Sequence, residues 1–415
     1  MASLGKVPEM LRLMPPETTR DARVLLTTRG MRAFVDGLVS TILSSYLLLL
    51  GFGGRQVGAV VTATMLGSAA LTLLVGLRGH RIDRRTLLLL VACLMIATGV
   101  LFSMVTAFWG VVIIATFGTM NPSSGDVSVF LPTEQALLPM TVSDRQRTAL
   151  YGRYSLVGFS LAAFGALAAG LPEAASAHGW VSLKRADQYV FTIYALVGVG
   201  VLLLYRQLSP AIEPAGDRKR AALGPSKSIV YRLAAVFSLD SFGGGFVVQS
   251  LIALWLFRRF NLSVTTAGLI FFWSGLLSGF SALVAVRLAR KIGLVRTMVF
   301  THLPANGFLI AAAFMPNVWL AVTCLLLRSA LSQMDVPART SFVMAVVTPE
   351  ERPAAASVTN VPRSLASALA PSAAGWMLDH SRFGWPLVIG GVLKASYDIV
   401  MLVLFRNVRP PEEQV

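Results

Sequence analysis

The sequence has few charged residues and almost no cysteine. Of its 415 residues, 13% are charged, whereas soluble domains carry about 25%, so we do not expect a soluble protein. The two cysteines, Cys93 and Cys324, lie in separate apolar segments, which predicts neither a disulfide framework nor a cysteine metal site. The N-terminal segment contains no apolar run with a cleavage site, and we expect it to be retained.

Catalytic signatures are also missing from the sequence. It shows no Ser/His/Asp order, no metal-ligand cluster, no phosphate-binding loop and no soluble segment long enough to hold an active site. We therefore expect a protein that is not an enzyme and that needs neither a cofactor nor a metal.

Long apolar segments dominate the chain instead. Hydrophobic residues make up 55% of the sequence, and the mean hydropathy is +0.69. A helix needs about 20 apolar residues to cross a bilayer. The sequence therefore predicts an all-α polytopic membrane protein with about twelve spans, near residues 31–52, 57–78, 86–105, 108–140, 148–170, 187–206, 230–257, 263–286, 294–315, 317–348, 354–378 and 384–405.

The net charge of +16 is spread over the loops between these spans. One side of the membrane receives the larger basic clusters, such as Arg78 to Arg85 and Arg287 to Arg296, whereas the loops near residues 107 and 316 carry no basic residue. Cytoplasmic loops are the ones enriched in Lys and Arg. We therefore expect a multi-pass protein of the cell (inner or plasma) membrane with both termini in the cytoplasm. The basic residues are expected to contact anionic lipid headgroups, and nucleic acid is not an expected partner.

A polar linker divides the chain into two halves of similar length. We assign a cytoplasmic N-terminal segment (1–30), an N-terminal six-helix bundle (31–206), the cytoplasmic linker (207–229), a C-terminal six-helix bundle (230–405) and a cytoplasmic tail (406–415). The halves repeat weakly, because Leu131-Pro132-Thr133-Glu134 in the first corresponds to Val336-Pro337-Ala338-Arg339 in the second. Internal repeats of this kind are typical of secondary transporters.

The loop between the second and third spans carries a family motif. Gly76, Arg81, Arg84 and Arg85 match the pattern G-x-L-A-D-R-x-G-R-K/R, with His80 in place of its Asp and Asp83 in place of its second Gly. With two pseudo-symmetric six-helix bundles and a basic linker, the chain resembles the major facilitator superfamily. The resemblance implies that this loop helps to latch the cytoplasmic side; the simpler alternative is a basic topology loop.

The fourth span contains residues that a lipid-facing helix would exclude. Between Phe117 and Glu134 it includes the helix breakers Asn121, Pro122 and Gly125 and the acid Asp126. Irregular backbone at membrane depth is tolerated only against protein or a water-filled cavity. We therefore expect this segment to line a polar path, and we expect a second helix break at Gly243, Gly244 and Gly245 in the seventh span.

Charged residues within the spans fall mostly on spans one, four, seven and ten, which the resemblance implies line a central cavity. We predict that Asp126 and Asp240, assisted by Asp36, bind a proton or a cationic substrate group. A gate or substrate role is predicted for Glu134, Arg328, Asp335 and Arg339.

Structural alternatives remain open for several of these charges. Asp36 can pair with Arg32 one turn away, and Glu134 can pair with Arg339 across the two halves. Lys394 and Asp398 are spaced i,i+4 and are expected to neutralise each other.

These features favour a secondary active transporter that works by alternating access. We prefer proton-coupled efflux of a small organic solute by antiport, because unpaired carboxylates outnumber unpaired basic groups on the cavity spans. The alternative is an importer or uniporter of a small polar or anionic metabolite, with Arg328 and Arg339 as substrate groups; a non-transporting receptor or membrane enzyme is a remote one. The expected partners are the solute, protons and the bilayer, and we expect a monomer.

Overall fold

The computed structural model describes residues 19–78, 82–123, 130–141, 147–209, 224–348, 351–406 and 408. Within these ranges every regular element is helical. The helices are α1 (Arg20–Leu49), α2 (Gly54–Arg78), α3 (Arg84–Met104), α4 (Phe108–Phe117), α5 (Phe130–Leu137), α6 (Arg147–Ala168), α7 (Leu171–Ala177), α8 (Leu183–Tyr205), α9 (Lys227–Gly245), α10 (Gln249–Phe260), α11 (Val264–Ile292), α12 (Leu294–Phe314), α13 (Val318–Ser332), α14 (Asp335–Ala345), α15 (Arg352–His380) and α16 (Trp385–Phe405).

The predicted all-helical membrane architecture is confirmed, and the observed helices are consistent with twelve spans. In the described ranges, nine helices or joined helix pairs are long and apolar enough to cross a bilayer. The remaining predicted spans correspond to interrupted helices, α4 with α5 and α13 with α14, and to α15, which contains Pro362 and Pro371. Interruptions and prolines are tolerated in a membrane where neighbouring helices satisfy the freed backbone groups.

The first helix begins earlier than the predicted boundary at residue 31. It starts at Arg20, where the side chain of Thr19 accepts a hydrogen bond of 3.3 Å from the backbone N–H of Ala22, the usual role of an N-cap threonine. Arg29 and Arg32 are buried within this helix. Helix α1 therefore extends further toward the N-terminus than the predicted apolar span, because the hydropathy pattern did not include arginines in that span.

Three predicted spans are broken near their centres. Helix α4 ends at Phe117 and α5 begins at Phe130, so Asn121 and Pro122 lie in non-helical backbone; Gly125 lies outside the described residues. In the seventh span, α9 ends with the glycine triplet at Gly245 and α10 begins at Gln249. A third break, at residues 333–334 between α13 and α14, was not predicted.

The two halves of the chain, α1–α8 and α9–α16, pack closely at one end of the bundle. We call this end, which carries the loops at residues 50–53, 261–263 and 381–384, the outer end, following the prediction from the loop charges. A Cβ on Gly58 would lie 2.5 Å from the carbonyl oxygen of Pro371, and one on Gly268 would lie 2.4 Å from that of Ala166. Only glycine permits these approaches, so the halves are in backbone contact at the outer end.

Hydrogen bonds between the halves reinforce this contact. The side chain of Ser44 donates to the carbonyl oxygen of Ser250 at 2.5 Å. Ser372 donates to the side-chain oxygen of Thr62 from its backbone N–H at 3.0 Å and from its hydroxyl at 2.8 Å. The structure is therefore closed at the outer end.

Candidate functional site

A cavity of about 250 Å³ lies between the two halves. Its wall comes from α6 and the broken fourth span on one side, and from α9, α10, α11 and α13 on the other. Apolar side chains such as Phe159, Ile252, Ile270, Phe271 and Leu325 form much of it. Its polar groups are Arg328, Ser123, Gln249, Ser274, Ser278, Ser329, Ser332 and Gln333.

Among the wall residues that the structure describes, Arg328 is the charged one. The residue lies on α13, one position before Ser329, and its Nε atom is buried without a hydrogen-bond partner. Within the described ranges no ion pair or hydrogen bond reaches its guanidinium group. The predicted position of Arg328 beside a cavity therefore agrees with the geometry.

Glu134 lies outside the cavity, at the centre of a buried cluster in the first half. It is fully buried and accepts hydrogen bonds from Arg32 and Tyr154, from the hydroxyl of Tyr205 at 2.5 Å and from that of Thr28 at 3.1 Å. Four donors from α1, α6 and α8 thus converge on one carboxylate of α5, which fixes the position of this short helix.

The alternative pair of Glu134 with Arg339 does not form in this structure. Each residue is bound within its own half, Glu134 by Arg32 and Arg339 by Asp240. Arg32 contacts Glu134 closely, and its guanidinium carbon lies 4.1 Å from the centre of the Phe130 ring. The pairing in the fold follows helix packing within each half, which the correspondence of the two repeats did not reveal.

Asp36 is buried in α1 beside a close helix contact. Its side chain receives no hydrogen bond or ion pair from the described part of the chain, and the residue is 7% exposed. At the next position, a Cβ on Gly37 would lie 2.0 Å from the carbonyl oxygen of Ala162, so α1 and α6 are in backbone contact here. The alternative pair of Asp36 with Arg32 does not form, because Glu134 accepts the guanidinium hydrogen bond.

Asp240 is the centre of a second buried cluster, in the second half. Its carboxylate accepts a hydrogen bond of 2.6 Å from the Lys394 ammonium and one of 3.0 Å from Arg339. Arg339 also lies 3.4 Å from the carboxylate of Asp335. The prediction of Asp240 as an unpaired acid is therefore wrong here, because cations reach it from the tenth and twelfth spans, beyond its own helix.

A buried histidine extends this cluster toward the twelfth span. The Nδ1 atom of His302 lies 2.9 Å from Asp398, and its Nε2 atom lies 3.9 Å from Asp240. The side chain of Asn306 donates to Asp398 at 2.8 Å. The expected pair of Lys394 with Asp398 is wrong, because Lys394 bonds to Asp240 while Asp398 bonds to His302 and Asn306.

The motif loop is described only in part. Gly76 lies in the last turns of α2, and Asp83 precedes α3 without capping its N-terminus through the side chain. A side-chain nitrogen of Arg85 donates to the carbonyl oxygen of Arg206 at 2.5 Å, which connects the start of α3 to the end of α8; Arg84 also lies in the first turn of α3. Arg81 and Asp126 lie outside the described residues.

Several residues of these clusters were not identified from the sequence. Tyr154 and Tyr205 were not distinguished from lipid-facing aromatics, because Glu134, which accepts their hydroxyl hydrogen bonds, is distant along the chain. His302 and Asn306 had a usable signal, because two polar residues at i,i+4 in an apolar span are expected to face a protein partner.

Comparison with known proteins supports the sequence resemblance. The sequence model of the Major Facilitator Superfamily matches residues 233–415. The uncharacterized membrane protein YJR124C of Saccharomyces cerevisiae is 22% identical over 425 residues, which cover 94% of this chain and 95% of that protein. The multidrug efflux protein YfmO of Bacillus subtilis is 25% identical over 217 residues, which cover 51% of this chain and 53% of that protein.

The fold is also similar to that of solved transporters. The crystal structure of a D-xylose-proton symporter superposes with a TM-score of 0.74 and covers 95% of this chain and 98% of that one. The two sequences are 14% identical over this alignment, so the likeness concerns the fold of both halves.

Proposed function

We propose that this chain is a membrane transporter of the major facilitator superfamily, whose sequence model matches residues 233–415, and that it carries a small organic solute by alternating access. The cavity between the halves is the observation that carries this proposal, since its wall includes Phe159 and Ala163 from one half and Phe271 and Arg328 from the other. A site shared between two bundles is exposed to either side when the bundles rock against each other.

The closed outer end supports an inward-facing assignment for this state. If the basic loops lie in the cytoplasm, the backbone contacts at Gly58 and Gly268 seal the cavity from the outside. Transport then requires these contacts to separate. A solute bound in the cavity would reach the outside only after that change.

The carrier proposal is tested by narrowing the cavity without disturbing the fold. Ser274 lines the cavity on α11. Leu269 on the same helix does not line the cavity, and its side chain is 47% exposed on the surface of the protein. A thermal-shift screen of small solutes would first identify a ligand, since binding to the folded state raises the melting temperature. Counterflow of that ligand into proteoliposomes would then be measured for Ser274→Phe and for the control Leu269→Phe.

We expect Ser274→Phe to abolish counterflow and Leu269→Phe to retain it at the wild-type level. Both variants add a phenyl ring to one helix, but only the first places it in the cavity. Full counterflow in Ser274→Phe would place the solute path elsewhere and would contradict the proposal.

Proton-coupled efflux is the second part of the proposal. It is supported by Asp36, a buried acid on the first span that is free of ion pairs in the described part of the chain, and by similarity to the efflux protein YfmO over about half of the sequence. A buried acid that makes no ion pair readily exchanges a proton. Glu134, Asp240 and Asp335 are paired, so the described parts of the cavity spans do not carry the predicted excess of free carboxylates.

A further inference from the structure

We propose that the transported solute is an amphipathic organic anion whose charged group binds Arg328. This inference rests on the cavity being the solute site, as proposed above. An anionic solute differs from the cationic substrate group that the carboxylates of the sequence predicted.

The charge of the cavity wall favours an anionic solute. Arg328 is cationic, and the described residues of the wall include no carboxylate. A lone cation at membrane depth is costly unless a partner accompanies it. An anionic ligand supplies that partner, and a guanidinium group binds carboxylate, sulfonate and phosphate oxygens through two parallel N–H donors.

Two other buried arginines of the cavity spans are already bound by acids. Arg32 is bound by Glu134, and Arg339 is bound by Asp240 at 3.0 Å. Asp240 also accepts a 2.6 Å hydrogen bond from Lys394, so each of its two oxygens already bonds to a cation. Asp240 attracts Arg328 electrostatically but is bonded to Arg339 and Lys394. The guanidinium group of Arg328 is therefore left for a ligand.

The rest of the wall defines the body of the solute. Phe159 on α6 faces the cavity from one half, while Ile252, Phe271 and Leu325 face it from the other. Ligand sites typically combine such apolar walls with a few polar groups that fix orientation. Ser329 and Ser332 lie on the same helix as Arg328 and also border the cavity, so hydrogen-bonding groups surround the charged end.

The size of the cavity limits the solute to a small molecule. A volume of about 250 Å³ is below the range of roughly 300 to 1,000 Å³ found for sites of drug-sized ligands. A single aromatic or branched aliphatic group with one anionic substituent fits these dimensions better than a nucleotide or a lipid.

The experiment compares probes that share one ring and differ in charge. Benzenesulfonate, benzenesulfonamide and benzylamine are anionic, neutral and cationic near neutral pH, and the sulfonate stays ionised over the whole working range. Binding to the purified full-length protein is measured by thermal shift and isothermal titration for the wild type, Arg328→Gln and Arg328→Lys. Arg382→Gln, an exposed arginine of an outer loop, is the matched control.

We expect the sulfonate alone to bind the wild type and Arg382→Gln. Arg328→Gln should weaken binding of the sulfonate by roughly 10- to 100-fold, which is the change in affinity that the loss of hydrogen bonds to a charged group usually causes. Arg328→Lys should bind with intermediate affinity, because it keeps the charge and loses the two parallel donors.

Three results would overturn the assignment. These are stronger binding of benzylamine than of the sulfonate, sulfonate binding that Arg328→Gln leaves unchanged, and no binding of the sulfonate to the wild type. Each leaves the carrier proposal standing as long as Ser274→Phe still blocks counterflow of the solute identified by screening. Full counterflow in Ser274→Phe would instead contradict the carrier proposal itself.

Discussion

The carboxylate of Asp379, at the end of α15, accepts a hydrogen bond of 2.6 Å from the backbone N–H of Gly54, the first residue of α2. It also accepts one of 2.5 Å from the N–H of Arg55. Glu173 makes the corresponding contact in the opposite direction, since it accepts from the N–H of Thr265 at 2.9 Å in the first turn of α11. Each half of the protein thus caps a helix of the other half at the outer end.

We expect these two caps to stabilise the closed outer end. A carboxylate at a helix N-terminus satisfies free N–H groups and interacts favourably with the helix dipole. Replacing both acids, by Asp379→Ala and Glu173→Ala, should remove about 2 kcal/mol and shift the equilibrium toward the outward-open state by about 30-fold. The measurement is the rate at which an impermeant maleimide, added outside, labels Ser274→Cys in a chain with Cys93→Ser and Cys324→Ser.

The control for this experiment is His380→Gln, because His380 is an exposed neighbour of Asp379 and its ring bonds to the carbonyl group of Trp376 in its own helix. It should label at the parent rate. An unchanged rate in the double variant would mean that the glycine contacts at Gly58 and Gly268 hold the outer end without the caps.

The Glu134 cluster predicts a large loss of stability when its acid is removed. Glu134→Ala removes the carboxylate that binds Arg32, a residue that is only 2% exposed. Breaking a buried pair in this way typically costs about 3 to 5 kcal/mol, whereas replacing both charges with apolar residues is often neutral. Arg32→Met with Glu134→Leu should therefore be more stable than Glu134→Ala in thermal unfolding of the purified protein. A double variant less stable than Glu134→Ala would contradict a purely structural role for the pair.

The sequence revealed the span positions because hydropathy depends on local composition alone. The breaks at Pro122 and at Gly245 were also predictable, since proline and glycine interrupt helices in any context. The partners of the charges were not, because they come from helices far apart in the chain. Asp240 is 154 positions from Lys394. The i,i+4 rule predicted Asp398 as the partner of Lys394, because that rule considers one helix only.

A double-mutant cycle checks this revised pairing. Lys394→Met and Asp240→Asn should be non-additive by about 1 to 3 kcal/mol in unfolding free energy, because the two side chains are in direct contact. Lys394→Met and Asp398→Asn should be closer to additive, since Asp398 is bound by His302 and Asn306. Stronger coupling of Lys394 to Asp398 than to Asp240 would restore the helical pair expected from the sequence.

The end of the linker has a pH-dependent attachment to the second half. Hydrogen bonds from the side chain of Ser226 and the N–H of Gly224 lower the pKa of Glu351 from its ordinary value of 4.5. A lowered pKa in the folded state means that the stabilisation is fully present above pH 4.5 and is lost as the pH falls through the lower folded value. Hydrogen exchange at Gly224 should therefore show increased opening, relative to the intrinsic rate, only on acidification. Glu351→Gln should show no such step, and an identical step in this variant would assign the transition to another group.

Asp36 gives the test of proton coupling. Asp36→Asn keeps the size of the side chain in α1 and removes its ability to exchange a proton, so the close contact of Gly37 with Ala162 should be preserved. If a proton and the solute use the carrier alternately, the variant should lose uphill transport driven by a pH gradient and keep solute counterflow, which needs no net proton movement. Both are measured in the same proteoliposomes, with a pH-sensitive dye inside to record proton flux.

Asp398→Asn is the matched control, because Asp398 is also buried but is bound by His302, and it should retain coupled transport. Gradient-driven flux that persists in Asp36→Asn would show that the coupling proton binds elsewhere in the chain, and loss of counterflow as well would show that Asp36 serves solute binding or the conformational change.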